Sequence, residues 1–325
     1  MNSNPNASAK PNTPTVGFVG MTHLGINSAV AGAERGFQMV CFDTDHQLIA
    51  RLERGEMPVV EPDLDEMAAR NRSRITFTAD PARLSECDVV YVAPDVATDD
   101  EGRSDLASIN NLLDTAFDHT GPDTVLVVLS QVPPGYTRAR QRPGRTLIYQ
   151  VETLVFGCAI LRALNPERTI IGLAEPKQPL PPAYRAYLEG HGNPPLLPMR
   201  FESAELAKIS INCCLVASVS VANTLAELCE HIGADWSEIV PALKLDRRIG
   251  PYAYLTPGLG IAGGNLERDL ATILRFSEQY RTDAGVVAAW VANSRHRKDW
   301  SYQTVKARML DGNPQARVAV LGLAY

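Results

Sequence analysis

Residues 20–25, Gly-Met-Thr-His-Leu-Gly, have the spacing of a turn that binds a dinucleotide. An apolar segment, residues 16–20, precedes this turn, and a helical segment, residues 28–36, follows it. In such a turn the first glycine allows the tight bend, and the last glycine lets the helix pack close to the strand. Thr22 replaces the middle glycine, which normally lets the backbone approach the pyrophosphate. The helix N-terminus still offers N–H groups and a positive dipole to phosphate.

An aspartate ends the next predicted strand, residues 39–43, about where a carboxylate binds the ribose hydroxyl groups of a dinucleotide. Because Asp43 would repel a 2′-phosphate, the sequence predicts NAD rather than NADP as the cofactor. The alternative is a plain α/β turn, which the strand–helix–strand spacing together with Asp43 disfavours. His23 keeps two open roles, a cofactor contact and a surface or cap position. The predicted cofactor contacts here are Gly20, Thr22, His23, Leu24, Gly25 and Asp43.

A lysine and an asparagine lie one helical turn apart in an apolar, helical segment. Lys208 sits between Ala207 and Ile209, and Asn212 follows four residues later on the same helix face. A lysine on a helix is commonly solvated or extends its stem along the surface. The apolar neighbours and the nearby amide indicate instead that Lys208 and Asn212 belong to a chemical site.

Short apolar segments alternate with helical ones in the first half of the chain. This alternation predicts an α/β fold with a Rossmann-type, doubly wound parallel sheet, which forms an NAD-binding domain over residues 15–200. Residues 1–14 are rich in Asn, Pro and Ser and are expected to be a disordered tail. The proline-rich residues 176–197 are expected to form the domain edge. The predicted strands cover residues 16–20, 39–43, 89–93, 124–129 and 169–171.

The second half of the chain is mainly helical. Residues 202–232 contain no proline and no glycine and predict a long central helix of about 45 Å. Its apolar circumference predicts burial, against the chain's own core or a second copy. Together with a helical region at residues 266–298, it predicts a central, dimerising domain over residues 201–300. Residues 317–323 (RVAVLGL) predict a buried strand that opens a second Rossmann-like domain, residues 301–325, truncated here.

The overall composition is that of a globular protein. Lys and Arg number 31 against 37 Asp and Glu, and this net charge of −6 gives no electrostatic surface for nucleic acid or an anionic membrane. The six cysteines show no C-x-x-C and no regular spacing, so reduced thiols, no metal site and a cytoplasmic location are predicted. No signal peptide is expected, and no apolar run is expected to span a bilayer.

Over residues 16–325 the chain resembles the UDP-glucose/GDP-mannose dehydrogenase family. The most specific match is ELAKISIN, residues 205–212, which agrees with the family's E-L-A-K-x-x-x-N at every fixed position. The last residues, 319–325, resemble the first strand of the family's third domain, which binds the nucleotide of the sugar substrate. The other similar motifs, in order, are residues 54–64 (RGEMPVVEPDL), 99–106, 130–135 (SQVPPG), 150–172, 246–250 and 257–269.

The resemblance implies an NAD-dependent enzyme of polysaccharide biosynthesis that oxidises the C6 alcohol of a nucleotide sugar to a carboxylate. In that family a hydride loss gives an aldehyde, which a cysteine thiolate captures as a thiohemiacetal. A second hydride loss gives a thioester, and water hydrolyses it. By this resemblance Lys208 stabilises an oxyanion and helps to move protons, and Glu152 handles water. Asp269 orients or activates the nucleophile region.

The resemblance also implies substrate contacts. Arg248 matches an arginine that reaches the substrate, with a contact across a dimer interface as one possibility. Gly260 and Gly263 lie in a glycine-rich loop whose N–H groups would approach a sugar or a phosphate. The alternative for this loop is a flexible hinge.

The departures from the family concern the nucleophile. Counting back from Asp269, the cysteine position falls on Asn265, whereas aligning the paired glycines puts it on Leu266. Neither side chain can form a thiohemiacetal, because that step needs an ionisable nucleophile. Cys213 and Cys214 offer a relocated nucleophile, which is disfavoured because buried structural cysteine is common.

Three further positions differ from the family motifs: Gln131, a predicted cofactor contact, replaces threonine, Phe156 replaces glutamate and Arg268 replaces lysine.

Two classes of function follow. The first is an NAD-dependent enzyme on a nucleotide sugar with altered chemistry, which stops after two electrons or returns the hydride and so acts as an epimerase. The second is a non-catalytic NAD- or nucleotide-sugar-binding paralogue, favoured by the replaced motif residues. Turnover with reduction of NAD distinguishes the two. The sequence names neither the sugar nor the nucleotide.

Overall fold

The structure is a computed structural model that describes residues 13–99, 102–261 and 264–322. It divides into two compact units. Among the described residues, the first unit comprises residues 13–99 and 104–208, and the second comprises residues 102–103 and 209–322. The division falls at residue 208, inside the long helix, rather than at residue 200 as expected from the sequence.

An eight-stranded sheet forms the first unit. Its strands are β1 (Thr15–Val19), β2 (Gln38–Phe42), β3 (Ile75–Thr78), β4 (Val89–Val92), β5 (Val125–Val128), β6 (Thr146–Gln150), β7 (Thr169–Leu173) and β8 (Leu196–Arg200). Their spatial order is β3-β2-β1-β4-β5-β6-β7-β8, and only the β6–β7 pairing is antiparallel among them. The predicted Rossmann-type sheet is confirmed. Because the strand order reverses between β1 and β4, a dinucleotide is expected at the carboxyl ends of these two strands.

The central strands are apolar because both faces of the sheet are covered. All four residues of β4 (VVYV) and of β5 (VLVV) are buried. A parallel sheet covered by helices on both faces selects such continuous apolar runs rather than alternating ones. On one face the rings of Phe18 and Tyr91 stack with centroids 4.8 Å apart, which fixes β1 against β4.

Seven helices of the described first unit connect these strands, and 3₁₀ turns cover Arg72–Arg74 and Pro81–Glu86. They are α1 (His23–Glu34), α2 (His46–Glu53), α3 (Leu64–Arg70), α4 (Ala107–Asp118), α5 (Tyr136–Ala139), α6 (Ala159–Leu164) and α7 (Pro182–Glu189). Residues 176–197, expected to be a domain edge, instead carry α7 and the start of β8. Pro182 is tolerated because it lies at the start of α7, where no backbone N–H is needed.

The long helix and the second unit are helical, as predicted. The helices are α8 (Phe201–Ile232), α9 (Trp236–Leu245), α10 (Gly264–Tyr280), α11 (Gly285–Lys298) and α12 (Trp300–Val305), followed by a π-helical turn at Lys306–Leu310. The predicted helical region 266–298 is therefore two helices. They are separated near Arg281, whose φ of +56° interrupts the helical geometry.

Two expectations about apolar segments are wrong. The predicted strand at residues 317–323 is absent from its described part, residues 317–322, because no neighbouring strand pairs with it there; Leu321 is 95% exposed. By length and composition, α8 is apolar enough to cross a membrane, with a mean hydropathy of 1.6 in its most apolar window, so such a run does exist. A core helix of a globular domain meets the same criterion.

Candidate active site

The glycine turn between β1 and α1 forms as predicted. Gly20 has a φ of +95°, and a Cβ there would lie 2.9 Å from Pro94 N. At Gly25 a Cβ would lie 2.0 Å from the Gly20 carbonyl oxygen. Only glycine fits both positions, which explains why the first and last glycines of the motif are present.

Asp43 follows β2 and lies beside this turn. Its Oδ2 accepts a hydrogen bond from Met21 N at 2.7 Å, and its Oδ1 accepts one from Asp45 N at 3.0 Å. A carboxylate has about four acceptor positions, so both oxygens retain capacity for a ribose hydroxyl. The turn and Asp43 therefore fit the adenosine half of NAD.

Thr22 and Leu24 complete the turn. The Thr22 hydroxyl donates to Ala93 O at 3.2 Å and accepts from Asp95 N at 3.0 Å, which joins the turn to the segment after β4. Leu24 is buried, and no acceptor for the Leu24 and Gly25 N–H groups is found within the described part of the chain. These two N–H groups, in the first turn of α1, are suited to phosphate.

His23 belongs to a cluster that the sequence did not predict. Its Nε2 lies 2.8 Å from Glu61 Oε1, and its ring centroid lies 4.3 Å from that of Phe156. The buried Glu61 also accepts hydrogen bonds from Gly157 N and Ala159 N. Although burial acts to raise it, the hydrogen bond from His23 and the two backbone N–H groups lower the pKa of Glu61 below its ordinary value. Glu61 belongs to the family motif at residues 54–64, and this motif was the one feature of the sequence that pointed to the cluster.

Gln131 lies shortly after β5 and is half-buried. Its neighbour Ser130 donates from Oγ to Pro94 O at 2.5 Å. The segments that follow β4 and β5 are therefore joined at the carboxyl edge of the sheet. This position is compatible with the predicted cofactor contact of Gln131, which stays a prediction.

Lys208 and Glu152, two predicted catalytic residues, are in contact within the first unit. Lys208 Nζ donates to Glu152 O at 3.1 Å and lies 3.4 Å from Glu152 Oε2. Their side chains are 15% and 18% exposed, respectively, so the pair is largely shielded from solvent. A shielded ammonium beside a carboxylate is able to stabilise a negative charge and to exchange a proton.

Glu205, the glutamate of the ELAKISIN motif, holds the segment after β5. Its side chain is fully buried, and its two oxygens accept from Gly135 N at 2.6 Å and Thr137 N at 2.8 Å. Burial raises the pKa of Glu205, although these donors oppose the shift. Glu205 therefore fixes the end of the SQVPPG segment, residues 130–135, against α8, the helix that also carries Lys208. The sequence alone did not indicate this role.

Asn212 and Asp269 are in contact within the second unit. Asn212 Nδ2 donates to Asp269 Oδ2 at 2.5 Å, and both residues are buried. Arg268, which replaces the family lysine, is also buried, with its Nε 3.8 Å from Asp269 Oδ1. The charge on Asp269 is therefore balanced inside the unit by an adjacent guanidinium.

The two candidate nucleophile positions differ in exposure. Asn265 is exposed at the start of α10, one turn before Asp269, whereas Leu266 is partly buried and packs on the apolar cluster of the second unit. Cys213 packs on the same cluster, and burial, followed by the charge of Asp269, raises its pKa to about 11. Since only a thiolate is strongly nucleophilic, Cys213 is a poor substitute at neutral pH.

The glycine-rich loop before α10 is fixed by side chains of α8 and α11. Gly258 N donates to Asn223 Oδ1 at 2.7 Å, and Ile261 N donates to Ser294 Oγ at 2.8 Å. Gly260 has a φ of +90°, and a Cβ there would lie 2.6 Å from Ser294 O. These contacts disfavour a flexible hinge, and they use two of the N–H groups proposed for substrate.

Two predicted substrate contacts have less structural support. The Arg248 side chain is 88% exposed and pairs with Asp246 at 2.6 Å. Within the described residues, both of its side-chain hydrogen bonds go to the Asp246 carboxylate. Gly263 lies outside the described residues.

Comparison with known proteins defines the family. Residues 14–180 match the NAD binding domain of the UDP-glucose/GDP-mannose dehydrogenase family, and residues 202–295 match its central domain. A UDP-glucose 6-dehydrogenase of Pseudomonas aeruginosa is 29% identical over 94% of this chain and 71% of its own length. One of Bacillus subtilis is 28% identical over 95% and 69%. The structure of a UDP-glucose dehydrogenase from Pyrobaculum islandicum shares the fold, with a TM-score of 0.82 at 24% identity over 95% of this chain and 73% of that one.

The chain therefore belongs to the UDP-glucose/GDP-mannose dehydrogenase family, a class of NAD-dependent nucleotide-sugar oxidoreductases. Its NAD-binding domain, residues 14–180, falls largely within the first unit, and NAD is its cofactor. The family and the cofactor predicted from the sequence are confirmed.

Proposed function

We propose that the chain oxidises a CH–OH group of a nucleotide sugar with NAD, and that its chemistry ends before a thioester forms. The observation that carries this proposal is the exposed amide of Asn265, one helical turn before Asp269, at one of the two positions where the resemblance places a cysteine. Leu266, at the other position, also has no thiol. An amide cannot capture an aldehyde covalently. The altered chemistry therefore follows from the side chain at one position.

The contact between Lys208 and Glu152 supports retained redox chemistry. NAD, when bound, supplies the acceptor for a hydride from the alcohol carbon. The Lys208 ammonium stabilises the developing alkoxide, and the Glu152 carboxylate accepts the hydroxyl proton. The alcohol thus loses one hydride and one proton, and one carbonyl product forms with one NADH.

The test is product analysis with UDP-glucose and related nucleotide sugars in the presence of NAD. We expect a carbonyl product and one NADH per sugar, identified by mass and by absorbance. Acid formation with two NADH per sugar would contradict the proposal. An epimer without net NADH would show that the hydride is returned, and the absence of any turnover despite NAD binding would identify a non-catalytic paralogue.

The companion variant is Asn265→Cys, with Leu266→Cys as its matched control. If Asn265 occupies the nucleophile position, only Asn265→Cys gains acid formation, because Leu266 packs into the apolar cluster of the second unit. A gain in the Leu266 variant instead would assign the nucleophile position to the other alignment.

We also propose a homodimer that α8 builds. Apolar residues of α8 repeat at alternating intervals of four and three on its exposed side: Val221 (52% exposed), Leu225 (40%), Leu228 (48%) and Ile232 (64%). This spacing gives a continuous seam of the kind that pairs two helices. A second copy of the chain, which presents the same self-complementary seam, is the proposed partner.

Sedimentation or light scattering tests the dimer. We expect a dimer at micromolar concentration and a monomer for Leu225→Glu. Leu245→Glu is the control, because Leu245 is 84% exposed on α9, outside the seam. A monomeric wild type would contradict the proposal.

For the location, we propose the cytoplasm, since all six cysteines are free thiols in the structure.

A further inference from the structure

The N–H group of the first residue of α1 already has an acceptor inside the chain. Asp95 Oδ2 lies 3.2 Å from His23 N. Asp95 N in turn donates to the hydroxyl of Thr22, the residue that stands at the middle glycine position, at 3.0 Å. The segment after β4 is therefore attached to the dinucleotide turn through both the backbone and the side chain of Asp95.

This N–H group is one of the donors that the first turn of α1 offers to a dinucleotide, beside those of Leu24 and Gly25. At the N-terminus of the helix that follows the glycine turn, the backbone N–H groups and the helix dipole bind the pyrophosphate. A carboxylate at that place is stabilised by the same dipole. Asp95 and the pyrophosphate are both anions, and the single N–H group of His23 cannot serve both with full strength.

We propose that Asp95 is an affinity-determining residue for NAD, whose carboxylate occupies a pyrophosphate donor and must leave His23 N when the cofactor binds. The proposal rests on NAD occupying this turn, which lies inside the NAD-binding domain. The other carboxylates near the turn have different roles. Asp43 accepts a hydrogen bond from Met21 N and is expected to bind the ribose. Glu61 contacts the imidazole of His23 rather than its backbone N–H group.

The effect of Asp95 is expected to be moderate. Asp95 is exposed, so water and salt screen the repulsion between its carboxylate and a phosphate. The Asp95 side chain is also able to rotate away from His23 N. Removing the charge is therefore expected to raise NAD affinity about tenfold. The unbound protein should lose some stability, because a favourable charge at the α1 N-terminus is removed. A purely structural role would lower both stability and affinity, so the two signs together identify the proposed role.

The experiment compares wild type, Asp95→Asn and Asp95→Ala by isothermal titration calorimetry with NAD, ADP-ribose and adenosine. Asparagine keeps the shape and an acceptor for His23 N, whereas alanine removes both. Tighter binding is expected for NAD and ADP-ribose, which carry the pyrophosphate, and unchanged binding for adenosine. Asp123→Asn is the matched control, because it removes the same charge at an exposed site that precedes the amino end of β5.

Three results would overturn the proposal. Unchanged or weaker NAD binding in both Asp95 variants would show that the carboxylate does not compete with the pyrophosphate. An equal gain for adenosine, or for Asp123→Asn, would show a general effect of net charge. If no protein binds any of the ligands, NAD occupancy of the turn itself is wrong, and the proposal fails with it. That last result differs from a failure confined to Asp95, in which the wild type still binds NAD.

Discussion

Replacement of the buried carboxylate of Glu205 should strongly destabilise the first unit. Its oxygens accept hydrogen bonds from Gly135 N and Thr137 N, and its side chain has no solvent exposure. In Glu205→Ala both donors lose their acceptor in the interior. Each buried donor without a partner costs about 1–3 kcal/mol, so the free energy of unfolding should fall by about 2–6 kcal/mol.

Glu202→Ala is the matched control for this change. Glu202 lies three residues earlier on α8 and pairs with Arg138, and the two side chains are 41% and 44% exposed. An exposed ion pair contributes about 0–1 kcal/mol, so this variant should be close to wild type. Both variants replace the same residue type on the same helix, and they differ in burial.

Hydrogen exchange with peptide mapping and urea denaturation followed by circular dichroism are the assays. Exchange is informative because a chain of two units need not unfold in one step. In Glu205→Ala the peptide that contains Gly135 and Thr137 should lose protection, while Glu202→Ala should keep it. Equal losses in the two variants, or a loss under about 1 kcal/mol in Glu205→Ala, would refute the assigned role of the buried carboxylate.

Three further outcomes follow from the structure. Because burial raises the pKa of Glu205, the stability it contributes is fully present below the ordinary value of 4.5 and is lost as the pH rises through the raised value. Urea midpoints should therefore show the advantage of wild type over Glu205→Gln shrinking toward neutral pH, and a growing advantage would contradict the sign. Iodoacetamide at neutral pH should label the exposed Cys214 well before Cys213, whose pKa of about 11 keeps it protonated. Peptide masses give the order of labelling, and earlier labelling of Cys213 would contradict this expectation. Gly260→Ala should lower the melting temperature more than Gly250→Ala, because both glycines have positive φ but only Gly260 also lacks room for a Cβ; equal losses would show that strain alone matters.

The parts of the fold that depend on local pattern were predictable. Buried strands such as β4 and β5 are continuous apolar runs, and the glycine turn is defined by six consecutive residues. The helix α8 was predictable because its sequence lacks proline and glycine over about its whole length. Each of these features is determined within a short window of the chain.

The contacts that form the candidate site were less predictable, because they join residues far apart in sequence. Lys208 and Glu152 are separated by 56 positions, and His23 and Asp95 by 72. The family resemblance named Lys208 and Glu152 individually, but no spacing rule implied that they are in contact. Nothing in the sequence indicated that Asp95 would accept from the dinucleotide turn, since an aspartate after a strand is ordinary in a loop.

Alongside the proposed replacement of the thiol, two pairs of polar side chains are retained, and this pattern argues against general decay of the site. Lys208 contacts Glu152 in the first unit, and Asn212 contacts Asp269 in the second. A buried Asn–Asp contact is costly to retain without a use, because each polar group must be desolvated and then satisfied. Lys208 and Asn212 lie four residues apart on α8, so one helix carries a member of each pair. The proposed loss of covalent capture, together with retention of both pairs, is what we expect of an enzyme that still moves a hydride and a proton but holds no acyl intermediate.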